Sequence, residues 1–218
     1  MQIAVVDLGV GNLRSVKQAV ITVAEDADVI LSSDADALLR ADKIVLPGQG
    51  AVGTWFKELN ARGLSDALMV CLKEKPLLGI CVGMQALFEY CEEDGGQAGL
   101  GVFQGDVRHF SHFHTDRLET DDRLKIPQMG WNQVFHLRDH PLWSNIENES
   151  HFYFVHSYCA NTSPDADLGT VYGGADYGHK FIAAAGRDNI FAVQFHPEKS
   201  HDNGLQLLKN FTNWDGRA

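Results

Sequence analysis

The residues best suited to chemistry are a cysteine held between two glycines and a histidine–proline–glutamate run near the end of the chain. In "GICVG" (79–83), Cys81 has Gly79 at minus two and Gly83 at plus two. An apolar run precedes it and a helix-like pattern follows. This is the spacing of a nucleophile elbow, a strand-to-helix turn so tight that a flanking side chain would collide across it. The turn exposes the sulfur at the carboxyl end of a sheet, and a helix N-terminus there would stabilise the thiolate, the form that attacks. An inert buried thiol beside two packing glycines is the competing explanation, since free cysteine is among the most buried residue types. In "FAVQFHPEKS" (191–200), His196 and Glu198 lie at i and i+2 past an apolar strand, on one side of an extended chain, with Pro197 stiffening the link. A carboxylate there can orient an imidazole and stabilise its charged form. Alone, the pair also fits a surface strand end. With Cys81 it completes a nucleophile, base and orienter. A third stretch, "VLPGQGAVG" (45–53), runs from a strand into a loop that could aim backbone N–H groups at an oxyanion.

These groups need a scaffold that brings distant strand ends together. The first half of the chain alternates. Apolar runs at 3–7, 28–31, 43–48 and 76–81 read as strands, and helical spacings at 12–24, 51–63, 64–75 and 84–93 read as helices. That order predicts a parallel, right-handed, doubly wound sheet. The second half holds strand-like runs with turn signals (100–110, 132–137, 151–160, 169–174, 181–187 and 190–197), which predict antiparallel pairing, before a closing helix at 203–214. The polar stretch 109–126 reads as a surface loop or hairpin insertion.

Composition removes several function classes. A formal net charge of -11 opposes nucleic-acid and membrane-surface binding, which call for a basic face. No apolar run nears the ~18 residues that span a bilayer. The first residues, "MQIAVVDLGVGN", do not look like a signal peptide. The four cysteines form no C-x-x-C pair, so neither a redox nor a zinc motif is indicated, and a reduced, cytoplasmic protein is expected.

The order "PGQG", "GICVGMQ", "FHPEKS" resembles the class I (triad-type) glutamine amidotransferases across essentially the whole chain. The resemblance implies one α/β domain over 1–218: a mixed, mostly parallel central sheet flanked by helices, with an additional antiparallel sheet. It implies Cys81 as nucleophile, His196 as proton shuttle, Glu198 as its orienter, and no cofactor or metal. Oxyanion donors would come from Gly48, Gln49, Gly50 and Val82. Glutamine would be bound by Gly50, Gly83, Gln85, Glu93, Ser157 and Tyr158. Gln49 departs from the valine common in this branch, though a backbone donor there tolerates the change. Four further stretches, "DLGVGNLRSV" (7–16), "PQMGWNQV" (127–134), "HFYFVHSY" (151–158) and "GLQLLKNF" (204–211), are similar to one branch. Its members are glutaminase subunits that deliver ammonia to a separate (β/α)8-barrel synthase in histidine biosynthesis. That implies a heterodimer with an interface near Asn12, Trp131 and Lys199. Amidotransferase subunits feeding anthranilate, p-aminobenzoate or pyridoxal phosphate synthesis share the triad but not "MGWN" with "FYFVHSY". The other rivals are a copy recruited to sugar amination and a regulatory subunit without catalysis.

Other motifs carry less. "DLGVGN" lacks the third glycine of a dinucleotide loop, whose place falls at Arg14. His109, His112 and His114 have spacings that suit no usual zinc site and read as solvated loop residues. Cys71 and Cys91 read as packed helix residues, and Cys159 ends a strand without a visible partner.

Overall fold

The computed structural model of the chain describes residues 1–113, 124–161 and 168–217. The first half is β1 (Gln2–Val6), α1 (Leu13–Val23), β2 (Asp28–Ser32), α2 (Ala35–Arg40), β3 (Lys43–Gly48), α3 (Val52–Ala61), α4 (Ser65–Glu74), β4 (Leu77–Cys81) and α5 (Val82–Gln85). The second contains β5 (Phe88–Cys91), β6 (Gln97–Ala98), β7 (Phe103–His109), β8 (Gln128–Gln133), β9 (Phe135–His136), β10 (His151–His156), β11 (Tyr158–Asn161), β12 (Val171–Asp176), β13 (Lys180–Arg187), β14 (Ile190–Val193) and α6 (His201–Asn213).

The main sheet runs β2-β1-β3-β4-β14-β13-β11-β7-β5-β6, with β12 and β9 joined beyond β13. From β2 to β14 every pairing is parallel. Beyond β14 the pairings are antiparallel, except that β5 lies parallel to β7. The unbroken apolar runs of β3, β4 and β14 follow from this position: each is buried along its whole length, as strands covered on both faces must be. β8 and β10 form a second, antiparallel sheet, paired from His151↔Gln133 to His156↔Gln128.

Three expectations need correction. The helix expected over 84–93 is a single turn, α5, followed by strand β5. Its apolar residues fit a helical period, but its carbonyls are claimed elsewhere. Those of Ala86, Leu87 and Phe88 accept N–H groups from Leu100, Val102, Phe103 and Gly101 instead of from the next helical turn. Gly99 permits this approach, because a Cβ there would stand 1.9 Å from the Phe88 oxygen. The strand expected over 151–160 divides at Ser157, with β10 in the small sheet and β11 in the large one. The run 132–137 likewise divides at Val134 between β8 and β9. Helix α2 gave no periodic signal in its six residues; it is started by Asp34, whose side chain accepts the Ala37 N–H at 2.9 Å. Of 109–126, residues 114–123 lie outside the described residues; His109 ends β7 and Phe110–His112 form a short 3-10 turn.

One buried cation ties the two ends of the site's scaffold. Lys43, at the start of β3, donates to the carbonyls of Phe211 (3.2 Å), Thr212 (2.9 Å) and Trp214, which close α6. Helix C-termini leave such carbonyls without intrahelical donors. The far end of β3 leads to Gly48, and α6 follows closely on Glu198. Lys43→Met therefore strands three acceptors and is expected to lower the unfolding free energy by about 2 kcal/mol. Urea denaturation checks this; an unchanged midpoint would remove Lys43 from that role.

Candidate active site

Strand β4 delivers Cys81 in an unusual backbone conformation, φ 55° and ψ −111°. A non-glycine residue there stores roughly 1–3 kcal/mol of strain. The neighbours explain why the chain cannot relax. A Cβ on Gly83 would lie 1.9 Å from the Leu46 carbonyl oxygen of β3, and one on Gly79 would lie 3.0 Å from the Ala192 Cβ of β14. The flanking glycines thus let β3 and β14 close on the elbow from both sides. Gly48 stands opposite Cys81 in the β3–β4 register. The "PGQG" loop consequently abuts the elbow, with Gly50 at φ 83°.

Strand β14 stops at Val193, paired with Ile80, and the chain continues to His196 beside Cys81. The His196 backbone N–H donates to the Tyr153 carbonyl at 2.9 Å. Its Nδ1 meets Glu198 Oε1 at 2.8 Å, with both side chains almost wholly enclosed. Only His196 is extended. Glu198 reaches the ring through a 3-10 turn over Pro197–Lys199, not through the straight chain that the i, i+2 spacing suggested. Burial lowers the His196 pKa, but the influence of Cys81 and the bond to Glu198 outweigh it, raising it to about 10. Nε2 makes no hydrogen bond of ordinary geometry, so Cys81 acts on the ring chiefly through charge. These neighbours favour the protonated ring.

A pocket of about 360 Å³ opens on Cys81 and is lined by Gln49, Gly50, Val82, Gln85, Glu93, Ser157 and Tyr158, with Pro127 and His156 closing its wall. Gly83 is absent from this lining; its hydrogen faces the Leu46 carbonyl, so close packing accounts for it. Gly48 lies behind the loop, lining a narrow cleft with Asn12, Gln49, His196 and Glu198. Glu93 accepts the Val52 N–H at 2.9 Å and so holds the start of α3; burial pushes its pKa upward. Trp131 is half exposed, stacked on His201 with ring centroids 5.1 Å apart, and Lys199 lies over the Tyr153 ring. Asn12 is exposed on the loop after β1. A larger apolar pocket, about 470 Å³ near Phe135, Leu137 and Phe181, is lined by no cysteine or histidine.

The sequence reading missed a buried polar network behind Cys81. Gln194, fully buried, donates from Nε2 to Cys81 Sγ at 3.7 Å and accepts from Gln85 Nε2 at 3.0 Å. Gln85 Nε2 also donates to the Tyr158 carbonyl at 3.1 Å, which His156 Nδ1 meets at 2.7 Å. Burial holds His156 neutral, with its pKa pulled down to about 4. The available signal was an amide two residues before His196, inside an otherwise apolar run. All four cysteines are unpaired and buried. Burial pushes the Cys91 and Cys159 thiols up to about 12. Cys91 lies in β5, not in a helix. Among the described residues no group of three or more His, Cys, Asp or Glu could hold a metal; His112 meets Glu92 at 3.0 Å, and His114 lies outside them. No helix there is long and apolar enough to cross a membrane.

Comparison with known proteins agrees with this geometry. The family described as Glutamine amidotransferase class-I matches residues 4–214. In fold the chain is similar to a protein described as a glutamine amidotransferase (TM-score 0.68, 17% identity, covering 97% of this chain and 99% of that one). It is also similar to the glutaminase domain of Trypanosoma brucei CTPS (TM-score 0.63, 18% identity, covering 99% and 95%). The chain belongs to the class-I glutamine amidotransferase family. Its near relatives include the imidazole glycerol phosphate synthase subunit HisH of Dechloromonas aromatica, 52% identical over 97% of this chain and 96% of the relative. The subunit HisH of Chromobacterium violaceum is 48% identical over the whole of both chains. Within the family, the chain groups with these HisH subunits.

Two outcomes follow from the elbow. Cys81→Gly relieves the strained φ while Cys81→Ala keeps it, so the glycine variant should be the more stable by about 1 kcal/mol, read from thermal unfolding. Equal stability would mean that the elbow is not strained. In Cys81→Ala the charge holding the imidazolium is lost, so the His196 pKa should fall well below about 10, as followed by NMR titration. An unmoved titration would exclude Cys81 as its cause.

Proposed function

We propose that this chain is the glutaminase subunit of an imidazole glycerol phosphate synthase, hydrolysing glutamine to glutamate and passing the ammonia to a (β/α)8-barrel partner subunit in histidine biosynthesis. The observation that carries the reading is the strained Cys81 elbow, which opens on a pocket and has the buried His196–Glu198 pair, joined at 2.8 Å, beside it. The full-length similarity to HisH subunits supports the choice of synthase. Four unpaired cysteines support a reducing, cytoplasmic setting.

Glutamine enters the pocket with its carboxamide at Cys81. Its α-ammonium is suited to acceptors: the Glu93 carboxylate, and Gln85 Oε1, which remains after Gln85 Nε2 is committed to Tyr158 and Gln194. Ser157 and Tyr158 border the same end. The Cys81 sulfur attacks the carboxamide carbon, and the resulting oxyanion is held by backbone N–H groups of the 48–50 loop and of Val82. Attack removes the negative charge from sulfur. The largest influence raising the His196 pKa then disappears, and the imidazolium becomes a competent acid toward the departing ammonia. Glu198 keeps the ring oriented. Neutral His196 next takes a proton from water, which attacks the thioester carbon and releases glutamate and the sulfur. Asn12, Trp131 and Lys199 would face the barrel, which receives the ammonia.

The test is glutamate release from glutamine by the chain alone, and then with its barrel partner and that partner's substrate. Strong stimulation is expected, falling by at least about a thousandfold in Cys81→Ala. Equal, substantial rates with and without the barrel would point to a different ammonia acceptor. No glutamate from folded complex, and no adduct of a thiol-alkylating glutamine analogue on Cys81, would favour a regulatory role instead.

A further inference from the structure

The elbow has a weaker helix behind it than its sequence suggests. α5 is one turn, four residues long, and the chain then becomes strand β5. A helix macrodipole needs aligned peptides, and so short a run supplies little of it. A thiolate at Cys81, enclosed and only 4% exposed, needs other donors.

Gln194 is placed to be one, and its orientation can be deduced. The Tyr158 carbonyl can only accept. It lies 3.1 Å from the Gln85 amide, so that amide must turn its NH2 group toward it. The second hydrogen of the same nitrogen points to Gln194, which must therefore present its oxygen, at 3.0 Å. The remaining end of Gln194, its NH2 group, is left facing Cys81 Sγ at 3.7 Å. A backbone carbonyl thus fixes, through two side-chain amides, a donor aimed at the sulfur. Gln194 is fully buried and does not line the glutamine pocket, so no ligand is needed to explain its polarity.

We propose that Gln194 is a further residue of the glutaminase machinery: its amide N–H, locked by the Gln85–Tyr158 relay, stabilises the Cys81 thiolate and aims it at the pocket. This rests on the reading of Cys81 as nucleophile. A hydrogen bond to the charged form favours that form. In thiol exchange chemistry, nucleophilicity falls with a slope of only about 0.4–0.5 as the thiol becomes more acidic, so a larger thiolate fraction at neutral pH is a net gain. The bond weakens as the sulfur enters the thioester, and it re-forms when glutamate leaves.

The experiment follows alkylation of Cys81 by iodoacetamide across pH in the complex with the barrel partner, locating the adduct by peptide mass spectrometry. Gln194→Met keeps the volume and removes the donor, while Gln194→Glu offers an acceptor in its place. The pH of half-maximal alkylation should rise by about one unit or more in Gln194→Met, and further in Gln194→Glu. The kcat for glutamine hydrolysis near neutral pH should fall about tenfold, with KM changed by less than about twofold. Unshifted pH profiles with unchanged kcat in both variants would overturn the proposal. If neither variant folds, the side-chain amide signal of Gln194 decides. It should move between the wild-type chain and Cys81→Ala, and an unmoved signal would overturn the contact. A wild-type complex that neither alkylates at Cys81 nor releases glutamate would refute the nucleophile reading instead.

Discussion

The site depends on a close approach of strand β3 to the turn that follows β4. The β3 carbonyl at Leu46 lies so near α5 that the residue at 83 can carry no side chain, since its Cβ would sit 1.9 Å from that oxygen. This approach holds the elbow shut and keeps Cys81 at its positive φ. It also brings Gly48 and the loop beyond it level with the sulfur. On the other side of β4, β14 also comes close, with Gly79 against Ala192, and it carries Gln194 and His196 past the strand end. Three parallel strands therefore end at one point and contribute the loop, the sulfur and the imidazole. Open α/β sheets bind ligands at such carboxyl ends.

Electrostatics complete what the strands begin. His196 is buried, which alone would keep it neutral, as it does His156. The difference lies in the partners. His156 sees a carbonyl and an amide, whereas His196 sees a carboxylate and the Cys81 sulfur. The two enclosed imidazoles are thus pushed in opposite directions, His156 toward the neutral ring and His196 toward the imidazolium. The same carbonyl of Tyr158 that fixes the His156 tautomer also fixes the amides of Gln85 and Gln194. A group that can only accept acts as the reference for every ambiguous donor linked to it.

Much of this was legible in the sequence because chemistry and geometry share residues there. The spacing in "GICVG" is dictated by the two close approaches, and β3, β4 and β14 read as strands because burial on both faces demands unbroken apolar runs. The Cys81, His196 and Glu198 positions follow from the same short stretches. What failed was long-range. Residues 84–93 have a good helical period, but Gly99 and the 100–103 segment take their carbonyls, a competition invisible within ten residues. The strand over 151–160 looked continuous because side-chain pattern does not record which sheet a backbone joins. Gln194 escaped notice because one amide in an apolar run has no meaning until Gln85, more than a hundred residues earlier, is seen to bond it.

That division at Ser157 also joins two surfaces. β10 belongs to the small sheet, where Tyr153 lies beneath Lys199 and edge-on to the half-exposed Trp131. β11 belongs to the large sheet, and its first residue, Tyr158, lines the pocket. The His196 N–H is held by the Tyr153 carbonyl, and Ser200 Oγ bridges the Tyr153 N–H (3.0 Å) and the His196 carbonyl (2.6 Å). His196 is thus fastened by its backbone to β10, the strand paired with the one that carries Trp131. Three hydrogen bonds make the link, one direct between the two backbones and two through the buried Ser200 hydroxyl. The small sheet therefore helps to place His196, through its attachment at Tyr153.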